Sequence, residues 1–320
     1  MALSDGVFKV RLQAIEYGAP GINLYTFEAL DGQPLAAYEP GAHVDVVMGP
    51  DLLRQYSLLW PATHPARYQI AVQLSEVGKG GSRKLHFESV VGAVYEMSQP
   101  RNHFPLVPSD DEFHLFAGGI GITPIISMYR QLKASGRRVS LYYWAGSAQH
   151  MLFHAQLCRE RQDDVRLFHT RSSGAVPPRL KDVLTTLPPS AQLYCCGPQG
   201  MVDEFDRLTL DRPEANTHRE RFSATTDALQ PGDSFRVRLQ RSGLTLTVPA
   251  ELSLLQVCEA AGVDVAYSCE EGVCGACEVK VLAGQVEHRD TVLTPGQRQR
   301  SESMMICCSR GVGDSLVVDI

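Results

Sequence analysis

The sequence predicts a multidomain fold of the α/β plus β class, with a parallel α/β domain between two β-rich domains. Three observations predict it. The first hundred residues alternate apolar and polar positions between glycine and proline turns, strand and helix patterns alternate from Phe113 onward, and a cluster of cysteines follows in a second β-rich stretch. A chain of 320 residues is long enough for two or three domains.

The composition is that of an ordinary globular protein, with 44% hydrophobic and 21% charged residues. The formal net charge of -6 gives no overall basic field, which argues against a nucleic-acid partner. The sequence contains no run of about 18 apolar residues, so we expect no membrane span. The start of the chain, Met1–Gly6, lacks the basic and apolar regions of a signal peptide, and we expect a cytoplasmic protein.

The first domain has the pattern of a small antiparallel barrel. Phe8–Leu12 and Tyr68–Leu74 alternate apolar and polar residues, as half-buried strands do. Turn residues such as Pro40-Gly41 and Gly49-Pro50 lie between the apolar segments. Several short strands at this spacing are typical of a barrel.

The middle of the chain predicts a parallel sheet. Strand-like segments occur at Phe113–Ala117, Val139–Trp144, Val165–His169 and Gln192–Cys195, with helical patterns between them. The clearest helix is Pro124–Lys133, where apolar residues recur at helical spacing. This alternation is typical of a Rossmann-like domain, whose ligands bind at the carboxyl edge of the sheet.

The last domain follows a loop-like run at 224–233. Two alternating strands, Phe235–Leu239 and Leu244–Val248, precede a short helical pattern at Leu254–Ala261 and then the cysteine-rich loop. We therefore expect domains at 1–105, 106–225 and 235–320, with a linker at 226–234.

The strongest signal is a C-x4-C-x2-C run formed by Cys269, Cys274 and Cys277, with a distant fourth cysteine at Cys307. Plant-type [2Fe–2S] ferredoxins use this spacing. Clustered cysteines in a chain expected in the reducing cytosol indicate metal ligation, and the small residues around them leave backbone N–H groups able to approach the sulfur atoms. A structural zinc site is the alternative, but zinc ribbons usually present two C-x2-C-like pairs.

Two adjacent cysteines, Cys307 and Cys308, compete for the fourth ligand position. Neighbouring side chains rarely point at the same iron, and we take Cys307 as the ligand and Cys308 as a small apolar filler. Cys258 falls in the helical pattern and is predicted to be a core residue.

A glycine-rich turn, Gly118-Gly119-Ile120-Gly121-Ile122-Thr123-Pro124, follows the first strand of the predicted parallel sheet. Such a turn allows backbone to approach a pyrophosphate at a helix N-terminus, and Pro124 suits a first helical turn. The motif alone is weak, and its position between strand and helix strengthens it. A second turn, Cys196-Gly197-Pro198, is expected at the same edge of the sheet, although a plain strand-end turn would also use Gly-Pro.

Two segments of the first domain have residue types suited to binding a phosphate and a flat ring. Arg54-Gln55-Tyr56-Ser57 combines a cation, an aromatic ring and a hydroxyl, and on a strand Arg54 and Tyr56 share one face. A solvated arginine beside a packed tyrosine is the alternative. Gly78-Lys79-Gly80-Gly81-Ser82 opens a helix-like run whose N–H groups could bind a phosphate, with Ser82 as the expected N-cap; a flexible loop is the alternative.

The order of these motifs resembles that of the phthalate dioxygenase reductase family, within the ferredoxin–NADP reductase superfamily. The resemblance extends from Arg54 to Ile320 and includes Pro100–Phe104, Asp290 and Cys307–Arg310. It implies FMN in the barrel, NADH in the Rossmann-like domain and the [2Fe–2S] cluster in a C-terminal β-grasp domain of the plant-type ferredoxin kind.

The resemblance also assigns roles to individual residues. Those implied to hold the flavin are Arg54, Tyr56, Ser57, Val72, Gly80, Gly81, Ser82 and Phe222. Those implied to hold the nicotinamide nucleotide are Gly118, Gly119, Gly121, Thr123, Pro124, Cys196, Gly197 and Pro198. Those implied to lie beside the reacting atoms are Ser57, Thr123, Cys196 and Glu220.

Three positions depart from the family pattern. Gln73 replaces a lysine, Trp144–Ser147 lacks the arginine that is usual after the second strand of the middle domain, and His169-Thr170-Arg171-Ser172 lacks the acidic residues of some relatives. The last two segments are expected to shape the adenosine pocket, where an Arg-Ser pair could accept the 2′-phosphate of NADPH.

The function implied by the resemblance is that of a reductase component. Electrons would pass from NADH through the flavin, which accepts a pair and releases single electrons, to the cluster and then to a separate Rieske-type oxygenase acting on an aromatic or other small substrate. The complex with the oxygenase is expected to be transient. A flavin-dependent NAD(P)H reductase acting directly on a small molecule is the main alternative, and a redox sensor is another.

Overall fold

The computed structural model of the protein describes residues 7–49, 52–61, 65–76, 80–159, 163–171, 176–224, 228 and 230–320. The chain folds into two compact units, Val7–Phe222 and Ser223–Ile320. Met1–Gly6, Gly78-Lys79 and part of the expected linker lie outside the described residues, so the expectation of no signal peptide stays a prediction, as do the domain boundaries. No helix of the described residues is long and apolar enough to cross a membrane.

The first unit begins with an antiparallel barrel, as predicted. Its strands are β1 (Phe8–Ala19), β2 (Ile22–Ala29), β3 (His43–Gly49), β4 (Leu52–Ser57), β5 (Tyr68–Gln73) and β6 (Val94–Met97). They pair in the order β4-β3-β6-β1-β2-β5. The sheet closes on itself just beyond β4, where Leu58 pairs with Ile70 and the Leu59 N–H donates to the Gln69 carbonyl at 3.1 Å. Closure removes the two free edges that an open sheet would present.

A short helix, α1 (Gly81–Glu88), connects β5 to β6. Its N-cap is Gly80, whose φ of 89° is left-handed. Ser82 therefore lies inside the first turn, and its hydroxyl accepts a hydrogen bond from the Ser75 N–H at 3.0 Å. The expectation that Ser82 is the N-cap was wrong, because the chain enters this helix through a left-handed residue that glycine supplies.

The second half of this unit is a fully parallel sheet with flanking helices. Its strands are β7 (Phe113–Gly118), β8 (Val139–Ala145), β9 (Val165–His169), β10 (Gln192–Cys196) and β11 (Thr217–Glu220). Its helices are α2 (Ile122–Ala134), α3 (His154–Arg159), α4 (Leu180–Leu184) and α5 (Gln199–Leu208). The strand order β11-β10-β7-β8-β9 brings the carboxyl ends of all five strands to one edge. The predicted Rossmann-like sheet is confirmed.

The barrel and the parallel sheet share one hydrophobic core. Ala19 and Ile22 of the barrel belong to the same buried cluster as Leu115 and Ile125 of the parallel domain. The cluster can separate only by exposing apolar surface to water, which is unfavourable. The glycine turn after β7 is therefore held in a defined position against the barrel.

The second unit is a β-grasp domain. Its strands are β12 (Phe235–Leu239), β13 (Thr245–Val248), β14 (Glu278–Glu287), β15 (Ser303–Met305) and β16 (Arg310–Val318), and its helices are α6 (Leu254–Ala260) and α7 (Pro295–Arg300). The order is β13-β12-β16-β14-β15, with β12 and β16 parallel. A capping box of Ser253 and Gln256 begins α6, which places Cys258 in the core at 0% exposure, as predicted.

A substitution at Gly41 would test how tightly the backbone of the barrel is packed. Gly41 has a φ of 90°, and a Cβ there would lie 2.0 Å from the Phe104 carbonyl oxygen. Gly32 has a φ of 73° and nothing within 4 Å of that position. We expect Gly32→Ala to lower the free energy of unfolding by about 1–2 kcal/mol, the cost of a left-handed alanine.

Gly41→Ala should cost at least about 2 kcal/mol more than Gly32→Ala, because backbone must also move. Urea unfolding followed by circular dichroism measures the difference. Equal losses in the two variants would show that the close contact at Gly41 is not rigid.

Candidate functional site

The candidate cluster ligands lie in the loop between α6 and β14 and just after β15. The Cys269 thiol interacts with the Cys274 thiol, and the Cys307 thiol interacts with the Cys277 thiol. Among the described residues, no three His, Cys, Asp or Glu side chains are grouped as they would be around one metal ion. Two thiol pairs are the arrangement that a binuclear cluster needs, since four cysteines are shared between its two irons.

Backbone N–H groups of the loop point at the sulfur atoms, as the small residues in the sequence led us to expect. The Glu271 N–H donates to Cys269 Sγ at 3.3 Å, and the Ala276 N–H donates to Cys274 Sγ at 3.4 Å. The Cys274 thiol, together with backbone N–H groups, lowers the pKa of Cys269 to about 6. Glu270 has a φ of 58°, a conformation that costs a non-glycine residue about 1–2 kcal/mol.

Cys307 and Cys308 interact with each other, but their other neighbours differ. Its thiol lies 3.8 Å from the Met305 carbonyl oxygen, and a Cβ at Gly272 would approach its Sγ to 2.6 Å. The Cys307 thiol interacts with Cys277 and Cys269, whereas the Cys308 thiol interacts with Asp290 and Ser309. This placement favours Cys307 as the ligand.

A buried carboxylate supports the loop from behind. Asp290 is 1% exposed, and its Oδ2 accepts hydrogen bonds from the N–H groups of Val292 at 3.0 Å and Leu293 at 2.8 Å. The adjacent Thr291 N–H donates to the Gly272 carbonyl at 2.8 Å. Hydrogen bonds to the ionised form, with Arg298 nearby, lower the pKa of Asp290 despite its burial.

In the barrel, Arg54 lies against the start of α1. A Cβ at Gly81 would lie 2.6 Å from Arg54 Cγ and 2.9 Å from Met48 Cε, so a larger residue would displace one of them. No side chain of the described residues caps the first turn of α1 at Gly80. A cation beside an uncapped helix N-terminus is suited to a phosphate.

The rest of the Arg54 segment follows the alternation of β4. Tyr56 is half-buried against the barrel core, and desolvation raises its pKa above the usual range. Ser57 is buried, at 6% exposure, and pairs with His43 on β3. The neutral Tyr56 ring offers a flat surface to a bound ring system.

The sequence reasoning missed Asp45 on β3. This residue is fully buried, and its carboxylate accepts hydrogen bonds from Arg101 at 2.7 Å and Gln55 at 3.0 Å. It therefore joins the Arg54 segment to the Pro100–Phe104 segment that the resemblance had singled out separately. A lone acidic residue in the apolar run His43–Gly49 was the signal that could have identified it.

At the edge of the parallel sheet, two glycine turns are in direct contact. A Cβ at Gly121 would lie 2.3 Å from the Cys196 carbonyl oxygen, and one at Gly118 would lie 2.6 Å from Pro198 Cδ. A Cβ at Gly197 would lie 3.2 Å from Gly118 Cα. The two turns thus pack directly against each other at the carboxyl ends of β7 and β10, where a pyrophosphate binds in sheets of this kind.

Two groups implied to lie beside the reacting atoms come together at the same edge. Cys196 on β10 pairs with Glu220 on β11, and Cys196 Sγ lies 4.0 Å from Glu220 Oε2. Burial raises the pKa of Glu220 to about 8 and raises the pKa of the Cys196 thiol. At neutral pH both groups are therefore uncharged.

The remaining sequence-predicted residues also have defined positions in the fold. Thr123 is 3% exposed and donates to the Ile120 carbonyl at 3.0 Å, so its hydroxyl is already engaged. The Val72 side chain lies in the barrel core, and a ring nitrogen of His86 lies 2.9 Å from the Val72 carbonyl oxygen. Phe222 ends the first unit and is 44% exposed. Pro124 lies buried in the first turn of α2.

The residues present fit the three groups that the sequence predicted. Paired thiols with backbone N–H donors fit a [2Fe–2S] cluster, the Arg54 and Gly81 contact fits a flavin phosphate, and the joined turns around Gly121 fit a dinucleotide pyrophosphate.

Two family models match parts of the chain, and known proteins are similar to it over nearly its whole length. The chain matches the 2Fe-2S iron-sulfur cluster binding domain over residues 237–311 and the oxidoreductase NAD-binding domain over residues 115–207. Phenoxybenzoate dioxygenase subunit beta from Ectopseudomonas oleovorans is 37% identical over 311 residues, which are 97% of each chain.

Phthalate dioxygenase reductase from Burkholderia cepacia is 36% identical over 320 residues, covering 99% of this chain and 98% of the relative. A solved structure of phthalate dioxygenase reductase covers 99% of this chain and 98% of its own, with a TM-score of 0.71 and 35% identity. The structure of an intact type IV self-sufficient cytochrome P450 monooxygenase gives a TM-score of 0.91 at 36% identity. This chain spans 43% of the length of that larger protein.

The cofactors supported by these matches are NADH, FMN and a [2Fe–2S] cluster, the same three that the residues fit. Identity above 30% over nearly the whole length, together with the two matched domains, shows that the chain belongs to the phthalate dioxygenase reductase family of electron-transfer oxidoreductases.

Proposed function

We propose that the protein is the reductase component of a multicomponent Rieske-type oxygenase, which it supplies with electrons taken from NADH. The observation that carries the proposal is the interaction of Cys269 with Cys274 and of Cys277 with Cys307, together with the backbone N–H groups that donate to Cys269 and Cys274. A cluster site of this kind carries one electron at a time. In a chain that also has candidate sites for a nucleotide and a flavin phosphate, it is suited to passing on the two electrons of a hydride singly.

The cofactors supply the redox chemistry: FMN, when bound, takes the two electrons of a hydride together and releases them singly, and the cluster carries one at a time. The protein binds and orients these groups. Arg54 neutralises the flavin phosphate, the turn at Gly121 holds the pyrophosphate, and the uncharged pair of Cys196 and Glu220 keeps the reacting end of the nucleotide free of fixed charge.

The partner is inferred from the relatives. Phenoxybenzoate dioxygenase subunit beta and phthalate dioxygenase reductase are named as parts of dioxygenase systems, and their full-length similarity supports an oxygenase as the acceptor here. We propose a transient complex in the cytoplasm, because electron-transfer contacts are usually small. A haem protein is the alternative acceptor, because the chain is similar in structure to a self-sufficient P450. Measuring electron transfer to a purified oxygenase would decide between the two acceptors.

The proposal predicts that electron transfer to a protein acceptor needs the cluster. NADH oxidation should be measured with ferricyanide, which takes electrons from flavins directly, and with cytochrome c in place of the oxygenase. Cys274→Ser should keep most of the ferricyanide rate and lose most of the cytochrome c rate. Retention of both rates would instead support a flavin reductase acting directly on small acceptors.

The fourth ligand is tested by a matched pair of variants. Cys307→Ser should lose most of the iron and acid-labile sulfide, because Cys307 pairs with Cys277. Cys308→Ser should retain both, because its thiol packs beneath Gly272. Iron and sulfide analysis of the purified variants measures the outcome, and cluster loss in Cys308→Ser alone would overturn the assignment.

The raised pKa of Glu220 predicts a pH-dependent contribution to stability. The folded state keeps this carboxyl protonated to about pH 8, whereas the unfolded chain releases the proton near its ordinary value of 4.5. The stabilisation is thus complete below about pH 4.5 and is lost as the pH rises through 8. Glu220→Gln keeps the side chain neutral throughout.

The stability of Glu220→Gln relative to the wild type should therefore rise by about 1–3 kcal/mol between pH 6 and pH 9. Urea unfolding without nucleotide at the two pH values measures this change, with Glu259→Gln at an exposed position of α6 as the control. A constant difference between Glu220→Gln and the wild type would show that Glu220 ionises normally.

A further inference from the structure

The adenosine end of the nucleotide site has an unusual charge pattern. With the pyrophosphate at the Gly118–Gly121 turn after β7, an extended dinucleotide can reach the neighbouring strand ends, those of β8 and β9. Residues 146–159 after β8 and residues 170–181 after β9 contain arginine, lysine, histidine and serine but no aspartate or glutamate; the next acidic residues along the chain are Glu160 and Asp182, and Asp182 accepts a hydrogen bond from the Arg179 N–H at 2.9 Å. A carboxylate that could accept a hydrogen bond from a ribose 2′-hydroxyl is therefore absent from both segments.

Arg171 lies at this edge in a defined position. Its backbone N–H donates to the Gly146 carbonyl at 2.8 Å, which ties the end of β9 to the end of β8. A Cβ at Gly146 would lie 3.3 Å from Arg171 Cδ and 3.4 Å from its Nε, so the arginine side chain runs directly over the glycine. The absence of a side chain at 146 makes room for it.

The guanidinium is available to a ligand. Arg171 is exposed, and among the described residues it has no ion-pair or side-chain hydrogen-bond partner. Neighbouring polar groups at the same edge are hydroxyls and imidazole: Ser147 Oγ lies 2.9 Å from His150 Nδ1, and Thr170 donates to the Ala145 carbonyl at 3.3 Å. An exposed arginine fork with hydroxyl neighbours and no competing carboxylate matches the geometry and charge of a phosphate.

We propose that Arg171, packed over Gly146, is a 2′-phosphate-binding residue, and that the protein uses NADPH at least as efficiently as NADH. The proposal rests on the proposed function, since it assigns the nucleotide preference of the same reductase site. It also explains two departures from the family pattern together. The arginine expected after the second strand is missing, and Arg171, two residues after the end of β9, places its guanidinium over Gly146 instead.

The first test compares kcat/KM for NADPH and NADH with ferricyanide as the acceptor in the holoprotein. Arg171→Ala should lower kcat/KM for NADPH by about 10- to 100-fold, the effect of losing a charged hydrogen-bond pair, and should change that for NADH by less than about threefold. Arg138→Ala is the matched control, because Arg138 is exposed at the opposite, amino-terminal edge of β8. Arg138→Ala also removes one positive charge, and it should leave the ratio of kcat/KM for NADPH to kcat/KM for NADH unchanged.

A binding experiment separates this proposal from the proposed function. By calorimetry, 2′,5′-ADP should bind the wild-type holoprotein more tightly than 5′-ADP, and Arg171→Ala should abolish that difference. These measurements need no electron transfer, so they hold even if the oxygenase assignment fails. Wild-type preference for NADH over NADPH by more than about tenfold, equal binding of the two nucleotides, or an equal effect of Arg138→Ala would each overturn the role of Arg171.

Discussion

Close approach of backbone to a neighbouring group is the constraint on which all three candidate sites depend. A Cβ at Gly81, Gly121 or Gly272 would come within 2.6 Å of another heavy atom, so a side chain at any of these positions would have to displace a neighbouring group. The reason is chemical. Backbone N–H groups bind phosphates and donate hydrogen bonds to the cysteine sulfur atoms that hold a cluster, and those groups are presented only where no side chain stands in front of them.

The edge of the parallel sheet combines two opposite electrostatic environments. At the ends of β10 and β11, burial keeps Cys196 and Glu220 uncharged at neutral pH. At the ends of β8 and β9, Arg171 is exposed, and residues 146–159 and 170–181 contain no aspartate or glutamate. A neutral environment suits a reacting ring whose own charge changes during hydride transfer, whereas a cation suits the permanently charged end of the nucleotide.

Features set by local pattern were predictable from the sequence. Alternation gave the strands at Phe8 and Phe235, helical spacing gave α2, and the cysteine spacing gave the cluster loop. Features set by packing across the fold were not. The true N-cap of α1 depends on the left-handed backbone at Gly80, and the burial of Asp45 depends on a partner far along the chain. Sequence spacing could not rank Cys307 against Cys308 beyond a preference, because their directions depend on the turn after β15.

The most direct test of the electron-relay account is the visible spectrum of the purified protein before and after anaerobic addition of NADH. The account predicts flavin bands superimposed on the broad absorption of a [2Fe–2S] cluster, with both bleaching when NADH is added. A flavin spectrum without iron–sulfur absorption, in protein that contains stoichiometric zinc, would contradict it. That result would leave a flavin reductase with a structural metal domain.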